Sequence, residues 1–150
     1  MSCSTSRNFA EIIGLSERVF LDTNPIIYLL NGIVPYNQKV KKFIIAHKDC
    51  EFYTSTITDV EFLVRPYRDK DFATVQAYMR FTDSLEILKC FITDKIADCA
   101  ARIRAKYKGI KLGDALQLAS SIECGCNYFL TNDLQLKQVA EANVVYLGDL

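Results

Sequence analysis

The sequence predicts an α/β protein built around a parallel sheet, and two observations lead there. Short apolar runs of strand character alternate with longer runs of helical periodicity, the pattern in which helices cross over between parallel strands. Two of the strand runs also end in the same way. The first passes into Asp22-Thr23-Asn24 and the fourth into Thr131-Asn132-Asp133, so each delivers an aspartate just past a strand. In open parallel sheets the active crevice lies outside the carboxyl ends of the strands.

Arg18–Leu21 reads as a short buried strand. A helix follows, with Asn24 as its N-cap and Pro25 at the first helical position, where a missing N–H costs nothing. Ile26, Ile27, Leu29 and Leu30 make it mostly buried. A second helix is expected over 37–47 and a second strand over 52–54. Residues 55–58 offer caps for the helix that carries Glu61, which should end near Pro66 because the residue before a proline resists helical geometry. The next helix covers 71–81, with Phe72, Val75 and Met79 at helical spacing. A strand over 85–88 precedes a helix over 94–107, capped by Thr93 and closed by Gly109, with Ile96, Ala100, Ile103 and Tyr107 on one face. The helix over 114–123 has Ala115, Leu118, Ala119 and Ile122 as its apolar stripe and Gly125 as its stop. Strands over 128–130 and 144–147 complete five strands and six or seven helices.

Composition limits the function classes. With 150 residues the chain suits one domain with a real core. Half of it is hydrophobic and 24% is charged, which is ordinary for a globular protein. No apolar run reaches the ~20 residues that span a bilayer, and the start lacks the features of a signal peptide, so a cytoplasmic protein is expected. Lys+Arg and Asp+Glu both number 18, which argues against indiscriminate nucleic-acid binding through a global positive field. The six cysteines, Cys3, Cys50, Cys90, Cys99, Cys124 and Cys126, form no CxxC pair and read as small buried hydrophobes. No phosphate-binding or dinucleotide-binding glycine motif occurs. The only histidine, His47, lies on a separate helix, which leaves a Ser-His or Cys-His nucleophile unsupported.

The remaining chemistry lies in four acids. Asp22 and Asp133 follow strands, Glu61 sits on the helix after the second strand, and Asp114 heads the helix that leads into the fourth. All four can face one crevice. Carboxylates held together repel, and at least one takes up a proton unless a cation sits between them. Oxygen-only ligands suit Mg²⁺ or Mn²⁺. Each acid also has a structural reading. Asp22 and Asp133 can cap the helices after them. Thr58-Asp59-Val60-Glu61 fits a capping box, and Asp114 near a helix N-terminus is favoured by the dipole.

These residues resemble the PIN-domain family, and within it the VapC-type toxin ribonucleases. The stretch from Val19 through Asp22-Thr23 to Leu30 is similar to the family's opening strand, Asp-Thr and apolar helix. Thr54 to Leu63 resembles its second block, with Glu61 after a Ser/Thr-rich entry. Leu112-Gly113-Asp114-Ala115 resembles its third, and Phe129-Leu130-Thr131-Asn132-Asp133 its fourth. The resemblance implies a three-layer fold with strand order 3-2-1-4-5 flanked by helices. It implies a Mg²⁺ (or Mn²⁺) site made by Asp22, Glu61, Asp114 and Asp133, with Thr23, Asn24, Thr131 and Asn132 supporting it or facing substrate. It implies hydrolysis of RNA phosphodiester bonds, a homodimer, and a small antitoxin partner in a type II toxin–antitoxin pair.

Two features depart from that pattern. Residues 1–17, with apolar Phe9, Ile12, Ile13 and Leu15, form an extension expected to pack on the domain at 18–150, or to bind a partner. Arg65-Pro66-Tyr67-Arg68 stands where a glycine turn is usual, and its arginines either contact RNA or decorate a solvated loop. The basic residues Arg102, Arg104, Lys106, Lys108 and Lys111 read as the solvated side of their helix. The competing function is a non-catalytic PIN-fold module that binds RNA or protein. A haloacid-dehalogenase-like phosphatase needs an Asp where Asn24 stands, and a phospho-receiver needs a lysine where the last strand runs into Gly148-Asp149.

Overall fold

The structure, a computed structural model, describes residues 16–150, so the extension at 1–17 lies outside it but for Ser16 and Glu17. Along the chain run β1 (Arg18–Leu21), α1 (Thr23–Leu30), α2 (Tyr36–Ala46), β2 (Glu51–Ser55), α3 (Thr56–Arg68), α4 (Phe72–Ser84), β3 (Leu88–Cys90), α5 (Asp94–Lys106), α6 (Leu112–Glu123), β4 (Tyr128–Thr131) and β5 (Val144–Tyr146). Short 3-10 turns at Leu134–Gln138 and Leu147–Asp149 follow the last two strands. Every strand pairing is parallel, and the order is β3-β2-β1-β4-β5, as the resemblance implies.

The central strands are buried on both faces, which is why their sequences are apolar throughout rather than alternating. Phe20 and Phe129 point to one face, stack at 5.3 Å and pack with Ile96, Ala100, Ile103 and Leu118 of α5 and α6. Val19, Leu21 and Leu130 point to the other, against Ile26, Val40, Phe62 and Tyr78 of α1 to α4. Two helical layers thus enclose one sheet. The stripes expected on α5 and α6 are the faces turned inward, Tyr107 and Ile122 being only partly covered. Gly109 (φ +80°) and Gly125 (φ +68°) turn the chain out of those helices in the left-handed region.

Several local expectations need correction. Helix α1 starts at Thr23 with Asp22, not Asn24, as its N-cap, because the Asp22 carboxylate accepts the Thr23 N–H at 2.9 Å. Helix α3 continues past Pro66 to Arg68. Proline there forfeits one hydrogen bond in the penultimate turn, but its ring is buried, and the Asp69 N–H closes the end on the Arg65 carbonyl at 2.9 Å. Arg65 and Arg68 therefore stand on a helix rather than a loop. Strand β3 lies three residues later than expected at its start, since Leu85 caps α4 and Glu86 turns at φ 51°. On α4, Phe72 (59% exposed) and Met79 (41%) face outward. The buried residues are Tyr78 and Thr82.

The reason is a polar anchor inside the α3–α4 layer. The Tyr78 ring stacks on Phe62 at 4.5 Å, its hydroxyl donates to Asp59 Oδ1 at 2.6 Å, and Lys89 Nζ donates to Asp59 Oδ2 at 3.1 Å. Cys90 and Cys124 also depart from expectation, since a disulfide joins them across the end of β3 and the end of α6. The Asp59 anchor predicts an order of stability losses in urea unfolding. Asp59→Ala strands a buried phenol and an ammonium, and should cost about 1–3 kcal/mol. Tyr78→Phe removes donor and need together and should cost less; equal losses would mean that the phenol reaches water.

Candidate active site

The strand order reverses between β1 and β4, and the crevice at such a switch point is where the acids gather. Asp22 is the first residue past β1, and its N–H donates to the Leu130 carbonyl of β4 at 3.0 Å. Its Oδ1 caps α1, and its Oδ2 accepts the Thr131 hydroxyl at 2.8 Å. The side chain is thus held between the start of α1 and the end of β4 and is only 6% exposed. Asp133 lies two residues past β4. Its N–H donates to Thr131 Oγ1 at 3.1 Å, and its Oδ1 caps the following 3-10 turn through the Gln135 N–H at 3.0 Å. For these two, the capping role and the crevice position coexist.

Glu61 and Asp114 come from opposite helical layers. Glu61, in the second turn of α3, accepts the Thr23 hydroxyl on Oε1 at 3.0 Å and is otherwise open to solvent. The capping box does not form. Ser55 caps α3 by accepting the Ile57 N–H at 3.1 Å, and Thr58 is turned inward and fully buried. Asp114 is in the first turn of α6, half-buried, and the cap position there, Lys111, makes no side-chain cap bond.

The acids feel one another. Burial, opposed by the Thr131 and Thr23 hydrogen bonds, pushes Asp22 from its ordinary 3.8 up to about 7, and Asp114 and Glu61 add to the rise. Burial also raises Asp114, with Asp133 and Glu61 next and Lys111 in opposition. Asp114 is therefore the acid coupled to all three others. Among the described residues no three acid, histidine or cysteine side chains close into a ready cage. The donor set still fits a hard cation, which Mg²⁺ satisfies with one or two carboxylates and several waters. His47 instead stacks on Phe43 at 4.0 Å at the end of α2, and burial pushes the Cys126 thiol up to about 12.

Of the supporting residues expected from the sequence, Thr23 holds Glu61 and Thr131 holds Asp22. Asn132 Nδ2 donates to the Tyr28 hydroxyl at 3.1 Å, and Asn24 is exposed on the first turn of α1. Sequence reasoning missed Thr54 and Gln117 as parts of the site and read Ser55 and Thr58 only as caps; all four are fully buried beneath the crevice. One signal was available for Gln117, which lies three residues after Asp114 and so shares its face of the helix.

A family model described as PIN domain matches residues 19–142. No curated protein matches the sequence. Among solved structures, VapBC2 from Rickettsia felis bound to a DNA fragment from their promoter is similar at TM-score 0.73 and 15% identity, covering 86% of this chain and 98% of that one. A toxin–antitoxin complex from Klebsiella pneumoniae matches at TM-score 0.66 and 24% identity over 86% and 97%. FitAcB from Neisseria gonorrhoeae matches at 0.67 and 18% over 88% and 99%.

The raised Asp22 gives a pH signature with a definite sign. Its neutral form suits the fold, so its contribution is full below pH 3.8 and is lost as pH climbs through about 7. With chelator present, Asp22→Asn should match wild type in thermal stability near pH 4. At pH 8 it should exceed wild type by up to roughly 4 kcal/mol. A gap independent of pH would mean that Asp22 carries no buried charge.

Proposed function

Because the chain belongs to the PIN-domain family, we propose that it is a divalent-metal-dependent endoribonuclease, the toxin of a type II toxin–antitoxin pair. The observation that supports this most is the convergence of Asp22, Glu61, Asp114 and Asp133 from four separate elements, where burial first and the neighbouring acids second raise the proton affinity of Asp22 and Asp114. Such coupling has little structural use and suits a cation. Asp22, Glu61, Asp114 and Asp133 would hold Mg²⁺ or Mn²⁺. When bound, such an ion activates a water and stabilises the charge that develops on a phosphate during in-line displacement.

The protein's own groups set the geometry. Thr131 and the α1 terminus fix both Asp22 oxygens, so this carboxylate cannot swing as charge moves nearby. Thr23 fixes Glu61 through Oε1 and leaves Oε2 toward α6. Asn24, exposed on α1, and Asn132, bonded to the Tyr28 hydroxyl, would be the groups that meet substrate. Glu61, Arg65 and Arg68 follow one another at helical spacing on α3, so the two arginines share the face that carries Glu61, with Arg65 also paired with Asp69 at 3.6 Å.

Partners belong to the same reading. The solved complexes similar in fold include a toxin–antitoxin assembly. On the outer side of α3, Val60, Val64 and Tyr67 recur at helical spacing and are exposed. Such a stripe suits a second copy in a homodimer or the antitoxin. Among the described residues no helix is long and apolar enough to cross a membrane.

The first test is cleavage of a mixed, labelled RNA pool with Mg²⁺ or Mn²⁺. Wild type should cut and EDTA should stop it. Asp22→Asn should lower the rate roughly 100-fold or more, the scale of losing one electrostatic stabiliser. No cutting by folded, partner-free protein on any RNA would favour the non-catalytic binding module. A second test concerns Arg65→Ala with Arg68→Ala. If both touch RNA phosphates, the slope of log affinity against log salt should flatten by about 1.4, from ~0.7 for each single-strand contact. An unchanged slope would assign both to a solvated helix end.

A further inference from the structure

Beneath the carboxylates lies a closed set of buried hydroxyls and one amide. Gln117 of α6 is 0% exposed, as are Thr54, Ser55 and Thr58 around it. Its Nε2 donates to Thr58 Oγ1 at 2.6 Å and to Thr23 Oγ1 at 3.2 Å, and its Oε1 accepts the Ser55 hydroxyl. Thr54 donates to Thr58 at 2.8 Å, Thr58 and Thr23 lie 3.2 Å apart, and Thr23 reaches Glu61 Oε1 at 3.0 Å.

A hydroxyl accepts two hydrogen bonds and donates one, and with Thr23 donating to Glu61 that rule orders the chain; the single Thr54 proton also has the Leu21 carbonyl at 3.3 Å, a longer reach than its 2.8 Å to Thr58. Thr58 Oγ1 accepts from Thr54 and Gln117, so its own proton goes to Thr23. Thr23 Oγ1 accepts from Thr58 and from the second Gln117 N–H, so its proton goes to Glu61. Ser55 already accepts the Ile57 N–H, and its proton is free for Gln117 Oε1. Reversing the amide would aim two donors at Ser55 and leave the Ser55 proton without this acceptor. It would also offer Thr58 and Thr23 a carbonyl in competition with Glu61. The order seen here satisfies every member, and a buried amide that does so is held in one orientation.

We propose that Gln117 is a positioning residue of the site: its amide directs the Thr58 and Thr23 hydroxyl protons so that Thr23 binds Glu61 Oε1 and leaves Oε2 for the cation. Glu61 Oε2 indeed faces the first turn of α6, 3.7 Å from where a Gly113 Cβ would stand. Gln117 thereby links α6, which carries Asp114, to α3, which carries Glu61. This inference rests on the metal-dependent reading above.

The test uses the full chain, with Mn²⁺ itself as the probe, followed by calorimetry without RNA. Gln117→Met keeps length and removes both donors. It should weaken Mn²⁺ binding about 10-fold, the low end of what an outer-sphere partner contributes. Thr23→Val should weaken it comparably, and the double variant should lose no more than the larger single loss, since both act through one hydrogen bond. Unchanged Mn²⁺ affinity in Gln117→Met with a lowered melting temperature would overturn the proposal and leave a structural amide. Additive losses would overturn it also. If wild type binds no Mn²⁺ while Asp22→Asn behaves identically, the metal reading falls and this one with it. A readout without metal or substitution guards against misfolded variants. The side-chain amide protons of Gln117 in wild type should be strongly protected from exchange by nuclear magnetic resonance, and exchange at the rate of a surface amide would overturn the network.

Discussion

A carboxylate held out of water at the meeting of two strands is the constraint around which this molecule is arranged. Asp22 must end β1, begin α1 and accept from Thr131 of β4, and it does all three with one side chain. Each role draws it further from solvent, and its charge becomes harder to keep. The neighbouring acids worsen the problem rather than relieve it. A protein selected for stability alone would place a neutral cap such as Ser or Asn there. The arrangement makes sense when a positive charge arrives, because the same burial that penalises an isolated carboxylate strengthens its attraction for a cation.

The sheet decides which acids can meet. Because the order reverses between β1 and β4, these two strands lie side by side although β2 and β3 come between them in the chain, and their carboxyl ends open into one gap. One helical layer supplies Glu61 and the other Asp114, so the gap is framed from both faces. The polar layer under it is the counterpart of the apolar cores. Threonine hydroxyls and the Gln117 amide fill a space that leucine could fill by volume, and they are tolerated there because each finds its partners.

Most of the fold and the four acids were legible in the sequence because they rest on strong local signals. Apolar strands that end in Asp, a Thr cap before α5, and Gly at φ +80° and +68° after α5 and α6 each declare themselves within a few residues. The misses have a common cause, which is that a distant contact overrode a local preference. Pro66 reads as a stop unless its burial is known. The spacing of Phe72, Val75 and Met79 suggests their face as the inner one unless Asp59 and Lys89 are known to wait for Tyr78. Glu86 carries no turn signal although it turns at φ 51°. Gln117 drew no reading, since nothing within α6 reveals that Ser55, Thr58 and Thr23 stand opposite. The Cys90–Cys124 link, 34 residues apart in sequence, was invisible for the same reason.

The parallel arrangement also divides the molecule into two poles. All four carboxylates sit at one pole, where strands end. The returns from helix to strand at 47–50, 85–87 and 124–127, and the entry of the chain into β1 at Arg18, lie at the other. Evolution and the engineer are therefore offered separate terrain. Lengthening a return, grafting a peptide into it or splitting the chain there alters the remote pole and leaves the distances among the acids to the sheet. A single residue inserted between β1 and Asp22 would instead rotate the carboxylate to the wrong side of its strand. The tolerance of this chain to insertion should thus be polar in the geographical sense, permissive in one hemisphere and strict in the other.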